Sequence, residues 1–390
     1  MTRTRRNHID LPTLIVVLTL MVLSLGVVYS ASATWAMEKF GESNRLLNLH
    51  ALRVLLGLVA LFFGMTIDYK RFKKLTKPVV IAAVVLLGVT LVLGGEVKGA
   101  ARWLRFGGLS LQPSEFAKFA LLFHLCTLVS AKGEAIRDFK KGFLPMMIWI
   151  GSVAGLVLVQ PNFSTGAMII LISMVMLFLS RARFLHLAAT VAAVLPLLVG
   201  IALTHPHVVQ RITSFIDGTS STGRPSYQLL QGIIGFGNGG LFGVGLGESR
   251  QRDFFLPESY GDFVFSIVGE EYGFIGTMFF LTLFLILMLR GFKIAKFARD
   301  DFGRLLALGI TSAITLYALV NAGVTLGVLP TTGLPMPFVS YGGSSLLFTS
   351  FAVGVLLNIS AQTDMHPRVA KTLEQISPVQ SFEEKTVRVY

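Results

Sequence analysis

The stretch FFLPESYGDFVFSIVGEEYGFIG, residues 254–276, carries Asp262, Glu270 and Glu271 into a strongly apolar run. A carboxylate there can act as a general base or acid, or it can hold structure by accepting hydrogen bonds. A paired-carboxylate glycosidase centre needs its two groups about 5–9.5 Å apart. On a straight helix Asp262 and Glu270 differ by about 80° in azimuth and about 12 Å in height, and Glu271 faces away from Asp262. The three acids therefore do not form one cluster. Asp262 reads as a lone acid at a helix entrance, where the positive end of the helix dipole favours its charge. A helix N-cap and a catalytic base both fit that position. Glu258 could approach it from the preceding loop, but nothing in the sequence fixes it there. Glu270 and Glu271 read as polar contacts inside a bundle, one or both paired with a cation or an amide from another helix.

Cations that could face such an acid lie upstream. KGAARWLRFGGLSLQPSE presents Lys98, Arg102 and Arg105 with Trp103 and Phe106 between them. That pattern fits an interfacial anchor, and equally a cradle for a phosphate, since Arg makes forked hydrogen bonds to phosphate oxygens. Glu115 and Lys118, three residues apart, share one helical face and can form a structural ion pair or contact a ligand. Pro330, Pro335 and Pro337 alternate with Gly333, Gly342 and Gly343 in GVLPTTGLPMPFVSYGGSSLL, and QPNFSTG at 160–166 breaks the chain similarly. Irregular backbone of this kind at membrane depth must line a cavity or be buried in protein.

The elements that position these residues are membrane helices. Of 390 residues 53% are hydrophobic and only 14% charged, which excludes an ordinary soluble domain. Apolar runs long enough to cross a bilayer are expected at 11–33, 51–67, 78–94, 113–131, 143–160, 164–180, 184–203, 262–289, 304–327 and 345–360. This gives an all-α polytopic membrane protein of ten helices. The first run ends in small residues like a signal peptide but is too long for one, and is read as a retained helix. The net charge of +13 is concentrated in connections such as DYKRFKKLTK, AKGEAIRDFKKG, SRAR and RGFKIAKFARDDFGR, which places them and both termini in the cytoplasm; nucleic acid is not an expected partner. Residues 1–10 form a cytoplasmic segment, and 361–390 a polar, disordered tail. One long extracytoplasmic loop, about 204–261, is rich enough in aromatic residues to fold back on the membrane surface. The single cysteine, Cys126, excludes an intramolecular disulfide.

ARWLRFGGLSLQPSEFAK, SYQLLQGIIGFGNGGLFGVGLGESRQ, FLPESYGDFVFSIVGEEYGFIG and LPTTGLPMPFVSYGGSSLL, in this order, resemble the SEDS family (shape, elongation, division and sporulation proteins), polytopic peptidoglycan glycosyltransferases of bacteria. The resemblance spans about residues 10–362. GVGLGES and GLPMPFVSYGGSS look more like the FtsW-type division branch than the RodA-type elongation branch, with the sporulation branch close. The chain departs from the family at QPN, where many members have QPD, and at Ser164 in place of a common glycine.

The resemblance implies that Asp262 matches the family's essential aspartate. It implies a reaction that joins lipid II, a disaccharide-pentapeptide on undecaprenyl diphosphate, into β-1,4-linked glycan strands on the outer face of the cytoplasmic (inner) membrane at the septum. The base role of Asp262 follows from it. The diphosphate leaving group needs countercharge rather than a proton, and Arg102 and Lys118 are the first choices to supply it, with Arg105, Arg211, Arg250 and Arg252 as further candidates. Glu115, Gln228, Ser340 and Tyr341 are expected at the substrate site. No tightly bound cofactor is implied, though a divalent cation, Mg or Mn, could assist. The implied partners are a class B penicillin-binding protein transpeptidase and other division proteins. A lipid II flippase or transporter and a chemically inert division scaffold are the competing classes, because ten helices with broken segments also suit transport.

Overall fold

A computed structural model describes residues 8–93, 95–97, 100–106, 109–216, 224–363 and 365; the expected N-terminal segment up to residue 7 and most of the expected tail lie outside the described residues. The elements run α1 (Leu11–Phe40), α2 (Arg45–Thr66), α3 (Tyr69–Leu93), β1 (Gly95–Val97), β2 (Ala100–Phe106), β3 (Leu109–Leu111), α4 (Pro113–Lys132), α5 (Leu144–Val159), α6 (Phe163–Leu179), α7 (Phe184–Leu203), α8 (Pro206–Ile216), α9 (Arg224–Gly239), α10 (Val264–Lys296), α11 (Asp301–Thr325) and α12 (Gly343–Ser360). Among the described residues nine helical segments are long and apolar enough to cross a membrane, and the 17-residue α6 is a shorter apolar helix beside them. All ten expected spans thus have a helix.

Several boundaries differ from the expectation. The basic run Lys70–Lys77 is not a connection but the first two turns of α3, which begins at Tyr69; lysine is a good helix former, and long basic side chains can leave the hydrocarbon. Around the stretch read as an interfacial anchor or a phosphate cradle, Gly95–Val97, Ala100–Phe106 and Leu109–Leu111 form a three-stranded antiparallel sheet in the order β1-β2-β3. The long loop is not irregular throughout, since it contains α8 and α9. Ala361, Gln362 and Thr363 are buried, so the packed region runs past residue 360.

Helices α11 and α12 sit deepest, whereas α7 buries little of its surface. Helix α12 lies flush against α2 because both carry glycine at the crossing. A Cβ on Gly64 would come within 2.4 Å of the Phe351 carbonyl, and one on Gly354 within 2.2 Å of the Leu61 carbonyl. Small residues at such crossings let backbones approach in lipid, where packing rather than water release drives association. The end of the bundle rich in lysine and arginine is tied by long-range polar contacts. Asp10 caps α1, pairs with Arg290 of α10, and its amide donates to Ser360 of α12. Asn358 accepts from the Tyr69 amide and donates to the Met65 carbonyl. These contacts fix the helix ends opposite the candidate site.

Candidate active site

Helix α10 is where the opening motif lies, and it is broken inside at Gly273, with φ +66° and ψ −162°. This region of backbone space is essentially restricted to glycine. The break frees backbone groups, and the GGLFGVG segment that follows α9 takes them up. Val244 and Gly245 donate to the carbonyls of Glu270 and Glu271 (2.9 and 3.2 Å), while Phe274 and Ile275 donate to the carbonyls of Gly240 and Leu241 (2.9 and 3.2 Å). Such close backbone contact leaves no room for side chains: a Cβ on Gly243 would lie 2.1 Å from the Glu271 carbonyl oxygen. The glycine-rich motif is therefore a clasp that locks the long loop to the first turns of α10.

The two glutamates reinforce it from the inside. Glu270 accepts from the Asn238 amide (3.2 Å), the Gln251 backbone amide (3.2 Å) and the Ser249 hydroxyl. Glu271 accepts from the Gly247 backbone amide (3.1 Å) and from Ser30 of α1. Neither approaches as a second catalytic acid; both hold the 244–252 segment against α10 and α1.

Asp262 sits at the end of this rigid unit, in the turn before α10. It is not the helix N-cap: Phe263 holds that position and no side chain caps the helix. Its backbone carbonyl is instead gripped by Asn321 of α11, whose buried amide nitrogen donates at 2.8 Å both to Asp262 and to the Leu334 carbonyl. One side chain thereby joins the acid's turn to the Pro/Gly-rich loop between α11 and α12. In that loop Gly333 has φ +75°, and a Cβ there would be 3.2 Å from Asp262 Oδ2 and 3.8 and 3.9 Å from the Arg211 guanidinium nitrogens. Arg211 of α8 donates to the Thr332 carbonyl at 3.1 Å. Burial lowers its affinity for a proton, and the negative charge of Asp262 opposes that shift. The result is a carboxylate with a guanidinium beside it, both half-buried and neither sealed off.

Two tyrosines extend the rim. Tyr341 donates its backbone N–H to the Tyr260 carbonyl (3.0 Å), and their rings meet edge-on at 5.6 Å. Burial, then the nearby Glu258 carboxylate, pushes the Tyr260 hydroxyl up to about 12, so at neutral pH it is a proton-bearing donor and not a base. Burial likewise raises Tyr341, with Arg53 working against it.

The other expected ligands divide. Lys118 and Glu115 form a buried ion pair at 2.8 Å, with the Lys118 ammonium 3.9 Å above the Tyr317 ring of α11. Lys118 lines a small cavity that it shares with Pro337 of the α11–α12 loop and Ser345 of α12. Arg252 is committed to structure, donating to Ser30 (3.3 Å) and lying 3.6 Å from Asp253. Gln228 donates to the Pro257 carbonyl (3.1 Å), and Ser340 accepts from the Met336 amide (2.7 Å), so both tie loop segments together. Arg250 is exposed. The side chains of Arg102 and Arg105, and Lys98 altogether, lie outside the described residues. Asn162, the departure from QPD, donates to Ser114 at 3.4 Å, so an amide serves in that place without charge.

The sequence reading passed over Asn321 and Arg53. Each is a lone polar residue in an apolar span, the signal that could have found it. It also passed over an apolar groove of about 460 Å³ between α2, α3, α4 and α12, lined by Ala60, Phe63, Phe116, Leu347, Phe348 and Phe351 among others. A groove facing lipid with almost no polar atoms can hold a hydrocarbon chain.

The family model FTSW_RODA_SPOVE, described as "Cell cycle protein", matches residues 11–365. The chain is 38% identical over 355 residues to a protein of Geobacter metallireducens named "Probable peptidoglycan glycosyltransferase FtsW", covering 90% of this chain and 95% of that one. It is 39% identical over 359 residues to "Stage V sporulation protein E" of Bacillus subtilis, covering 92% and 98%. A solved chain described under "Structural coordination of polymerization and crosslinking by a peptidoglycan synthase complex" superposes with a TM-score of 0.75 at 28% identity, over 90% of this chain and 97% of that one.

Proposed function

The chain belongs to the FtsW, RodA and SpoVE family of membrane proteins, and we propose that it is a peptidoglycan glycosyltransferase that polymerises lipid II, with Asp262 as the general base. The observation that carries this reading is the Asp262–Arg211 pair at the rim of a bundle whose opposite end holds the basic clusters. By the positive-inside rule that rim faces outward, where a lipid-linked sugar is available and cytoplasmic nucleotide sugars are not.

The chemistry needs one acid. The 4-hydroxyl of the acceptor sugar attacks the anomeric carbon of the donor, giving its proton to the Asp262 carboxylate as the new C–O bond forms. The bond to the diphosphate breaks on the opposite face, and the polyprenyl diphosphate leaves with the electron pair, so the configuration inverts. Cations that stabilise the developing charge replace an acid catalyst. Arg211, beside Asp262, presents a forked donor to the sugar or its phosphate. The apolar groove supplies a place for the carrier chain. Among the described residues no three His, Cys, Asp or Glu side chains come together, so a divalent cation, Mg or Mn, would be carried mainly by the substrate's own diphosphate oxygens. The cellular setting we propose is the septal, FtsW-type one in the bacterial cytoplasmic membrane, beside a class B penicillin-binding protein and other division proteins.

The test is polymerisation of labelled lipid II by the purified protein with its transpeptidase partner. Wild type is expected to yield glycan strands and Asp262→Asn to yield none, with lipid II binding retained. Strand formation by Asp262→Asn at the wild-type rate would remove the base. Absence of polymer from wild type, together with lipid II translocation in sealed vesicles, would replace the enzyme with a flippase.

A further inference from the structure

A line of aromatic rings runs along the rim beside Asp262. Trp35 of α1 and Tyr260 have ring centroids 5.4 Å apart with planes tilted by 49°, and Tyr260 meets Tyr341 edge-on at 5.6 Å. All three side chains are half-buried, so each keeps part of its ring open. Tyr260 stands two residues before Asp262, a reach of at most about 7 Å along the chain.

The line is braced from behind. Ser259 donates to the Ala31 carbonyl of α1 at 2.9 Å. Ala31, Leu256, Phe263, Ile267 and Val324 form a small apolar cluster apart from the main core, and Tyr260 packs on it. The Arg53 guanidinium lies 4.0 Å from the Tyr341 ring centre and the His50 ring 5.8 Å from it, while the Lys39 ammonium sits 4.5 Å over Trp35. Trp and Tyr at headgroup height ordinarily serve as an interfacial belt facing lipid. This line instead joins α1, the turn that carries the acid and the loop entering α12, and no group among the described residues hydrogen-bonds the Tyr260 hydroxyl. The ligand class follows from these groups. A pyranose ring presents C–H bonds on its face, whose partial positive charge suits the negative face of an aromatic ring. The hydroxyl and N-acetyl groups at its edge need polar partners, which the Tyr260 hydroxyl, the nearby Glu258 carboxylate and the Lys39 ammonium offer.

We propose that Trp35, Tyr260 and Tyr341 form a saccharide-binding shelf, on which a sugar ring of the glycan strand stacks beside the reacting one. The proposal rests on the glycosyltransferase reading and adds to it the site that keeps the strand bound between additions. A polymerase that repeats its step must hold the strand while the spent carrier departs, and contacts to the sugars do so independently of any phosphate. The shelf acts on strand retention, and proton transfer stays with Asp262.

The experiment measures the length of strands made from labelled lipid II by the full-length protein with its transpeptidase partner, compared at equal lipid II consumption. Trp35→Leu is expected to shorten the mean strand about 2- to 10-fold, the loss of one stacked ring. Trp35→Phe and Tyr260→Phe keep a ring and should stay near the wild-type length. A β-1,4-linked N-acetylglucosamine tetrasaccharide, added to the protein without lipid II, should change the tryptophan fluorescence of wild type and not that of Trp35→Phe. Melting temperatures show which variants fold, and the tetrasaccharide measurement on wild type decides the matter if Trp35→Leu does not. Wild-type strand length in a folded Trp35→Leu overturns the shelf and leaves the rings as an interfacial anchor. A tetrasaccharide response that is absent in wild type, or equal in Trp35→Phe, overturns it as well. Loss of all polymer in Tyr260→Phe overturns stacking in favour of a role for the hydroxyl. If the shelf fails while Asp262→Asn still abolishes polymerisation, the glycosyltransferase reading stands; absence of polymer from wild type removes that reading and the shelf with it.

Discussion

Asn321→Leu is the sharpest probe of how the fold positions the acid. The side chain is 1% exposed, and its amide nitrogen is the shared donor to the Asp262 and Leu334 carbonyls, each at 2.8 Å. Leucine fills similar volume and removes both bonds. Each lost bond costs about 1 kcal/mol net, and the stranded carbonyl of the buried Leu334 adds up to about 2 kcal/mol more. An arrangement in which the Asp262 turn stays docked to the α11–α12 loop is then disfavoured by about 2–4 kcal/mol, which at 1.36 kcal/mol per factor of ten corresponds to about a 30- to 1,000-fold fall in kcat. Asn321→Asp, nearly isosteric, should do no better, because an ionised carboxylate would face two carbonyl oxygens. Initial rates of lipid II polymerisation across substrate concentration give kcat and KM, and thermal unfolding reports the intact bundle. Wild-type kcat in Asn321→Leu, at an unchanged melting temperature, would refute the idea that this bridge places Asp262.

Two further substitutions test the scaffold. Gly273→Ala puts a Cβ 2.3 Å from the Gly243 nitrogen at φ +66°, so strain of about 1–3 kcal/mol plus opening of the clasp is expected; thermal unfolding should show a lower midpoint and polymerisation should fall, whereas Gly151→Ala, where nothing lies within 4 Å, leaves both as they are. Breaking the Glu115–Lys118 pair with Lys118→Met should destabilise by about 3–5 kcal/mol by leaving a buried carboxylate alone, and the double variant Glu115→Gln/Lys118→Met should recover much of that loss. A recovered but inactive double variant identifies the pair as a substrate contact, and a recovered, active one as structure.

Hydrophobic length, charge placement and glycine content are properties of short runs of chain, and they were enough to locate the membrane helices and single out Asp262 as a lone acid at the entrance to α10. The separation of Asp262 from Glu270 and Glu271 also needed nothing beyond helix geometry. What surrounds Asp262 could not be obtained this way. Asn321 lies 59 positions from it and Arg211 reaches Thr332 across 121, while Arg53 meets Tyr341 only because α2 and α12 pack flush at glycines. Arg252 looked like a free cation in the sequence and turned out to be engaged with Ser30, 222 positions away. A residue's type states which bonds it can make; which partner it finds is set by how the helices cross, and that depends on all of their packed faces at once.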